Sequence, residues 1–513
     1  MNLLNTAWVP VIDRDGHLTK VRPRDIPGAS FVRVQHPRKD ISCLTTELLI
    51  DLFQTVCDPQ SDDELLDYVD GVRLPDSAAF DALAPSFELA SAGPRFLQGT
   101  PTSAEEHGVC SLLFDAPLEN TIKKNNDIFA TRNSIRSICP HCMPSVLYLN
   151  QSHARMGGNG YSPSRRTGSA LAAIIEKNNL WQTITMNLLP AAFFDKQAGR
   201  IATDRAPASF PWMAPELLTK GPKNLFLRDV GRYGMLWWTP VNLRFSILEN
   251  TAGLECGLCG QVHSLHAEKF VKSPVATKLS GDLRHPRTGW NATFKGKDED
   301  GAAVVGMPLN VPPSILAEPA LLAGLTLGAK AEDQLPAFQY WASHGPRKLR
   351  GARMHLSGWR CENTKAEGWL DSTAPLWAPD TPEQSGNVEA AVKVLLALVN
   401  KVGDALSRSL YFGKPSAKSK VPGPALLLQL RTSRESGLAV YYVQAVQLMT
   451  EVLAAVGDAP LHPDAAAQFK QHLTRVALHL FQQAVVLPTT DLRLMRLYVN
   501  RERSLQMDFD QLT

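Results

Sequence analysis

The chain lacks several features that would each define a class of protein. Its 513 residues contain no apolar run of about 18 residues, so no membrane-spanning helix is predicted. Residues 1–14 have no basic segment followed by an apolar core, so we expect no secretion signal and a cytoplasmic location. The formal net charge is only +3, and any contact with nucleic acid must therefore depend on local basic patches.

Common catalytic signatures are also missing from the sequence. It contains no H-E-x-x-H, G-x-S-x-G or kinase motif. Its glycine-rich segment is neither a Walker loop nor a G-x-G-x-x-G fingerprint. We therefore expect a protein that is not an enzyme.

Length and patterning predict an α+β protein with two domains, because 513 residues are too many for one core. Residues 373–386 hold three prolines and end in Ser-Gly, which is typical of a linker. We place a large mixed α/β domain with a zinc site at residues 1–378 and a four-helix bundle at 379–513. Apolar residues recur at helical spacing in four segments of the second domain: 387–410, 437–456, 463–485 and 489–500.

Periodicity also predicts individual elements in the first domain. Trp8–Ile12 and Val241–Leu248 are expected to be strands, the second with its apolar residues on one face. The apolar segment Leu180–Pro190 is expected to be a buried strand. Thr45–Val56 has helical spacing, and Thr45 is a plausible N-cap.

Four of the eight cysteines form two C-x-x-C pairs, Cys139 with Cys142 and Cys256 with Cys259. In a reducing compartment such pairs indicate a metal rather than disulfides. Together they would complete a closed tetrahedral site for one structural zinc ion. A rival set is also available locally: Cys256, Cys259, His263 and His266.

Two basic regions are candidates for contact with nucleic acid. Residues 121–170 hold seven Lys and Arg against one acid, together with the glycine segment 156–161. Glycines permit close approach of a backbone to a phosphate or a groove, although a surface turn with solvated charges explains the pattern equally well. Residues 265–296 also carry an excess of basic side chains, for which a solvated face is the usual explanation.

The order and spacing of these motifs resemble the large, CasA-type subunit of the type I-E CRISPR Cascade complex. The similar segments are NLLNTAWVPV, CPHC, GGNGYSPSRRTG, NNLWQTITMNLLP, CGLCG, HAEKF, LRHPRTGW and SGWRCENTKAEGW. The resemblance implies a subunit of an antiviral surveillance complex. Such a subunit recognises the protospacer-adjacent motif in double-stranded DNA, starts strand separation for R-loop formation and helps recruit the helicase-nuclease. Its partners would be the other Cascade subunits, the guide (CRISPR) RNA and the target DNA.

The resemblance also implies roles for particular residues. Lys269 would reach into the DNA minor groove beside a glycine loop, and Asn363 falls at the tip of a wedge hairpin that opens the duplex. Since relatives carry a glutamine there, Glu362 and Thr364 remain candidates for the wedge residue. The other implied positions are the glycine-loop residues Gly157, Gly158, Asn159 and Gly160, and the guide RNA or complex contacts Phe129 and Arg132.

Two other functions are compatible with the same motifs. A stand-alone zinc-dependent nuclease or hydrolase would need a metal with three protein ligands and one open position for water. A pure scaffold would use the zinc and the helices only to hold its partners. Four cysteine ligands would favour the Cascade subunit over the hydrolase.

Overall fold

A computed structural model gives the fold of the chain. The structure describes residues 1–117, 122–123, 134–153, 171–198, 210–220, 224–280, 282–283, 285–287, 292–293, 296–297, 303–304, 335–362, 365–376, 382–411, 424–456, 459–484 and 492–512. The chain mixes helices and sheets, as the patterning predicts. None of the described helices is both long and apolar enough to cross a membrane.

The described residues cluster into two compact units. The first contains the described parts of Met1–Val311, Ala329–His344 and Gly351–Thr373. The second contains Gly345–Arg350 and the described parts of Ala374–Thr513.

The first unit contains nine α-helices among its described residues, the longest of which is buried along most of its length. They are α1 (Lys39–Cys57), α2 (Asp62–Val69), α3 (Ser77–Leu83), α4 (Met143–Ser152), α5 (Leu180–Met186), α6 (Ala191–Ala198), α7 (Pro215–Lys220), α8 (Gly234–Trp237) and α9 (Pro336–His344).

The chain also forms several short sheets. Their strands are β1 (Val9–Ile12), β2 (Leu18–Val21), β3 (Arg33–Val34), β4 (Glu106–Gly108), β5 (Leu171–Glu176), β6 (Asn224–Phe226), β7 (Val241–Glu249), β8 (Leu265–Pro274), β9 (Lys278–Ser280), β10 (Asp282–Leu283), β11 (Ala292–Thr293), β12 (Gly296–Lys297), β13 (Ala303–Val304), β14 (Arg353–Glu362) and β15 (Lys365–Pro375).

Three of the sheets have three strands, with the orders β2-β1-β3, β4-β8-β7 and β15-β14-β5. In the last of these, β14 pairs antiparallel with β5, so that Arg353 lies opposite Glu176 and Gly358 lies opposite Leu171. This pairing joins strands that are far apart in the sequence, and it places the hairpin β14–β15 against the rest of the first unit.

The strand predictions for residues 8–12 and 241–248 are confirmed by β1 and β7. The prediction of a strand at Leu180–Pro190 is wrong, because Leu180–Met186 forms α5. The Asn179 side chain caps this helix by accepting hydrogen bonds from the backbone N–H groups of Trp181 (2.8 Å) and Gln182 (3.2 Å). In a short apolar run, periodicity does not distinguish a buried strand from a buried helix. Here the N-cap residue Asn179 indicates the helix.

The predicted N-cap at Thr45 is also wrong. Helix α1 begins at Lys39, so Thr45 lies inside it, where its hydroxyl donates to the Ile41 carbonyl oxygen at 2.7 Å. The predicted linker at 373–386 is shorter than expected, since β15 continues to Pro375 and the next helix begins at Pro382.

The second unit contains four long helices among its described residues: α10 (Pro382–Ser409), α11 (Pro424–Ala454), α12 (Pro463–Ala484) and α13 (Leu492–Asp510). Buried side chains from all four, including Leu395, Tyr441, Leu473 and Leu505, form one apolar cluster. The Tyr441 hydroxyl donates to the Val399 carbonyl oxygen at 2.9 Å, which satisfies a polar group inside this core.

Candidate zinc centre and nucleic-acid interface

The two predicted cysteine pairs meet in the first unit. The sulfur atoms of Cys139, Cys142, Cys256 and Cys259 all lie within 4.8 Å of one another, and three of the four residues are buried. The two pairs are separated by more than a hundred residues, so the fold has brought two distant turns to a single point.

Backbone hydrogen bonds shape each of the two turns. In the first, the N–H groups of Cys142 and Met143 donate to the Cys139 carbonyl oxygen at 3.0 and 3.1 Å, immediately before α4 begins. In the second, the Gly260 N–H donates to the Cys256 carbonyl oxygen at 2.8 Å, with Gly260 at φ +72°. That left-handed conformation favours glycine, which explains the residue after the second pair.

Backbone contacts hold the two turns against each other. Ile138 and Ala267 exchange two N–H···O bonds of 2.9 Å, and the Gly257 N–H donates to the Ser137 carbonyl oxygen at 2.9 Å. A Cβ atom on Gly257 would lie 3.0 Å from Cγ2 of Ile135, which is tighter than most such contacts, so the close approach favours glycine. The cysteine geometry is therefore built into the backbone of both turns.

The donor set fits one tetrahedral zinc ion. Zn–S bonds of about 2.3 Å in a tetrahedron require sulfur atoms about 3.8 Å apart. The Cys139 and Cys259 Sγ atoms are 3.8 Å apart, and the Cys139 N–H donates to the Cys256 sulfur at 3.3 Å. Four thiolates would close the coordination sphere, so a zinc ion held here would be structural.

Two of the thiols are poised to be thiolates. Side-chain hydrogen bonds from Cys139, Cys142 and Cys259 strongly lower the pKa of Cys256. Hydrogen bonds from Cys139 and then Cys142 lower the pKa of Cys259 to about 7. The pKa values of Cys139 and Cys142 are instead raised, by hydrogen bonds among the same sulfur atoms and by burial, so a metal ion bound by all four sulfurs would have to displace their protons.

The rival ligand set with two histidines is not assembled in the part of the chain that the structure describes. The His263 ring packs on the His141 ring, with centroids 4.3 Å apart. His266 Nε2 lies 3.3 Å from a Glu268 carboxylate oxygen. Each of the two histidine rings therefore contacts another side chain, His141 or Glu268.

His36 is a neighbour of the cysteine cluster that motif reasoning missed. Its Nδ1 atom accepts a hydrogen bond from the Arg38 N–H at 3.0 Å, so a neutral ring carries its proton on Nε2. That Nε2 atom lies 3.4 Å from the Cys142 sulfur. Burial lowers the pKa of His36, which keeps the ring neutral, so its Nε2–H faces the Cys142 sulfur as a donor.

Lys269 lies on β8, where a β-bulge turns it toward solvent. In the β7–β8 ladder Ser246 is opposite Lys269 and Ile247 is opposite Ala267, which leaves Glu268 as the extra residue. Ala267 and Phe270 are both buried, so without the bulge Lys269 would follow Ala267 into the core. Instead its side chain is 60% exposed and its Nζ atom donates to Glu106 at 2.7 Å.

The predicted wedge belongs to the hairpin β14–β15. Glu362 is the last residue of β14, while Asn363 and Thr364 lie outside the described residues. Lower in the hairpin, Trp359 packs edge-on against Trp369 and stacks on Phe114, with centroids 5.4 and 5.8 Å apart.

Ion pairs fasten the same hairpin to the rest of the first unit. Asp371 on β15 accepts from Lys39 at the start of α1 at 2.9 Å and lies 2.8 Å from His355 Nε2. The hydrogen bond with His355, reinforced by Lys39, strongly lowers the pKa of Asp371. Asp371 therefore joins the two strands of the hairpin to each other and to α1.

Five buried polar residues form a network inside the first unit. The Arg287 guanidinium donates to Asp51 at 2.5 Å and to the Tyr148 hydroxyl at 2.9 Å, and that hydroxyl donates to Asp51 at 2.7 Å. His153 Nε2 lies 3.3 Å from Glu47, whose carboxylate is also 3.7 Å from Arg287. The network therefore holds His153, the last described residue before the glycine motif in the sequence.

The remaining predicted contact residues lie outside the residues that the structure describes. They are Phe129, Arg132, Gly157, Gly158, Asn159 and Gly160.

Comparison with known proteins identifies the family. The sequence profile of CRISPR-associated protein Cse1 matches residues 2–480. No sequence among the curated proteins matches the chain. Among solved structures, CasA from Thermus thermophilus is 16% identical, with a TM-score of 0.65 over 100% of both chains.

Two further structures agree in fold. Cse1 from Acidimicrobium ferrooxidans is 16% identical, with a TM-score of 0.66 over 100% of this chain and 98% of its own. A chain of a CRISPR RNA-guided surveillance complex is 14% identical, with a TM-score of 0.54 over 98% of this chain and 99% of its own.

The sequence profile, which matches nearly the whole chain, together with the shared fold, defines the class of protein as the large subunit of a type I-E Cascade complex. Within that class, the chain belongs to the CRISPR-associated protein Cse1 family.

Proposed function

We propose that this Cascade subunit recognises the protospacer-adjacent motif in double-stranded DNA, starts strand separation for R-loop formation and helps recruit the CRISPR helicase-nuclease. It acts in the cytoplasm with the other Cascade subunits and the guide RNA, and it has no catalytic activity of its own. The observation that carries the proposal is Lys269, which a β-bulge presents to solvent on a strand fastened to the cysteine centre.

A lysine on a rigid strand is suited to this role. The minor groove distinguishes A·T from G·C pairs but hardly separates A·T from T·A, so a reader there accepts several related motifs. The Lys269 ammonium can donate to groove acceptors and neutralise nearby phosphates. The glycine segment 157–160 would allow the protein backbone to approach the same groove closely.

The hairpin β14–β15 supports the second step. Aromatic packing and the Asp371 ion pairs hold its strands below the predicted wedge residues 362–364. Unstacking one base step costs a few kcal/mol, and guide pairing then roughly balances the duplex that it replaces. A wedge at the first pair can therefore decide whether opening starts.

The cysteine cluster supports one structural zinc ion as the cofactor. Zinc would lock the turn at residues 139–142 to the turn at 256–259, and the second turn leads directly into β8 and Lys269. A hydrolytic zinc would need an open coordination position, which four cysteines do not leave. We also propose that α10 to α13, which share one core, form a four-helix bundle.

Groove reading is tested with the protein assembled in its guide-RNA complex. Lys269→Ala and Gly160→Asp should each weaken binding to duplexes that carry the preferred flanking motif, found beforehand with a library of flanking sequences. Lys401→Ala, which removes an exposed lysine from α10 outside both basic regions, is the control and should bind like the wild type. Wild-type affinity of both test variants would refute the groove assignment.

The wedge is tested by separating binding from opening. Replacing Glu362, Asn363 and Thr364 together by Ala should leave the first encounter with the motif intact but slow R-loop formation on a paired target. A target already melted beside the motif should rescue the variant, because its unstacking has been done. Equal loss on both targets would point to folding or gripping, and no loss on either would mark the segment as an ordinary turn.

A further inference from the structure

The ion pair between Lys269 and Glu106 has a consequence for DNA binding. Glu106 is the first residue of β4, which pairs with β8 so that Glu106 lies opposite Val271 and Gly108 lies opposite Lys269. The two charged side chains meet diagonally across the ladder, with Nζ and Oε2 2.7 Å apart. Both are well exposed, at 60% and 45%, so DNA that approaches the ammonium meets this carboxylate beside it.

The register of β4 and β8 determines which acidic residue pairs with Lys269. Glu105 and Glu106 are both exposed on the same segment, but Lys269 bonds to Glu106. The hydrogen bond and the charge of Glu106 together raise the pKa of Lys269, with a smaller contribution from Glu268. The lysine therefore stays charged, and its nearest anion is supplied by the protein itself.

We propose that Glu106 is an intramolecular competitor that occupies Lys269 in the free subunit and must be displaced when Lys269 enters the DNA groove. Glu106 thus lowers the affinity for DNA that Lys269 contributes. The inference rests on the proposed groove-reading role of Lys269. The inference predicts that replacing Glu106 increases the affinity for DNA, whereas loss of a purely structural contact would not increase it.

The size of the gain follows from the exposure of the pair. Exposed ion pairs contribute little, so breaking one during binding reduces affinity by about two- to fivefold. Salt screens such a pair, and the gain should therefore shrink as ionic strength rises. The Glu106→Gln side chain keeps its shape and loses its charge, so the fold should be unaffected.

The experiment is a double-mutant cycle on the full chain assembled in its guide-RNA complex. Affinity for a motif-bearing duplex is measured for the wild type, Glu106→Gln, Lys269→Ala and the double variant, with Glu105→Gln as the control for loss of one nearby negative charge. We expect Glu106→Gln to bind about two- to fivefold tighter than the wild type. In the Lys269→Ala background, Glu106→Gln should change the affinity by no more than Glu105→Gln does.

Three outcomes would overturn the inference, and they are distinguishable. If Glu106→Gln gives the same gain with and without Lys269, Glu106 acts only as a general negative charge. If Glu106→Gln weakens binding while Lys269→Ala also weakens it, Glu106 aims the lysine at DNA rather than competing for it. If Lys269→Ala has no effect at all, the proposed groove reading itself fails, and the inference fails with it.

Discussion

Arg287→Met should strongly destabilise the first unit. Arg287 is only 2% exposed, and its guanidinium neutralises Asp51 and Glu47, whose side chains are 1% and 3% exposed. Attraction by Asp51 and Tyr148 raises the pKa of Arg287 even though burial opposes its charge. Methionine fills a similar volume but leaves two carboxylates buried without their cation. Removing one partner of a buried ion pair costs about 3–5 kcal/mol.

Tryptophan fluorescence during urea denaturation measures this loss selectively. All but one of the ten tryptophans precede residue 374, so the signal reports mainly on the first unit. The matched control is Arg73→Met, which removes an exposed ion pair with Glu64 and should cause a much smaller change. Adding Asp51→Asn to Arg287→Met should recover part of the loss, because one uncompensated charge disappears. Equal stability of the Arg287 and Arg73 variants would refute the electrostatic account of the network.

Three further predictions concern other parts of the chain. Replacing Cys139 and Cys256 together by Ser should abolish zinc in metal analysis and give a poorly folded chain, because structural zinc contributes folding free energy; undiminished zinc would refute the site. Asp371 has a lowered folded-state pKa, so its stabilising effect is present above its ordinary pKa near 3.8 and is lost as pH falls through the lower folded value. Thermal unfolding from neutral pH down to about pH 2 should show this loss in the wild type and a shallower acid dependence in Asp371→Asn. Leu473→Ala should destabilise the second unit by about 2–5 kcal/mol in helix-monitored denaturation, whereas Val443→Ala at an exposed position should be nearly neutral; equal effects would contradict the shared core.

Periodicity and spacing predicted those features that are determined locally. Strand β7 follows from alternation, and the C-terminal helices follow from a repeat of 3.6 residues, although α11 begins thirteen residues before the predicted start at 437. The two cysteine turns were found because C-x-x-C spacing reflects the geometry of a metal ion. The apolar run that starts at Leu180 suggested a strand, whereas the capping residue Asn179 before it indicates a helix.

Features that arise between distant segments gave no signal in the sequence. His36 reaches Cys142 and Glu106 reaches Lys269 only after folding, and neither residue lies in a motif. The β8 bulge depends on the register of two strands, which a single sequence does not reveal. Alternation along residues 265–274 would have placed Lys269 on the same face as Ala267.

The β5–β14 pairing also determines when β5 can fold during synthesis of the chain. Glu176 pairs with Arg353, so a ribosome adding about 5–20 residues per second needs roughly 10–35 s to make the partner of β5 after β5 itself. During that interval the buried residues Ala172 and Ile175 have no sheet neighbour on that side. Nascent chains stalled before residue 353 should be cleaved readily by protease near β5 and should bind chaperones, whereas chains long enough for β14 to have left the ribosome should be protected. The first unit would then gain its protection late in synthesis, only after most of the chain had left the ribosome.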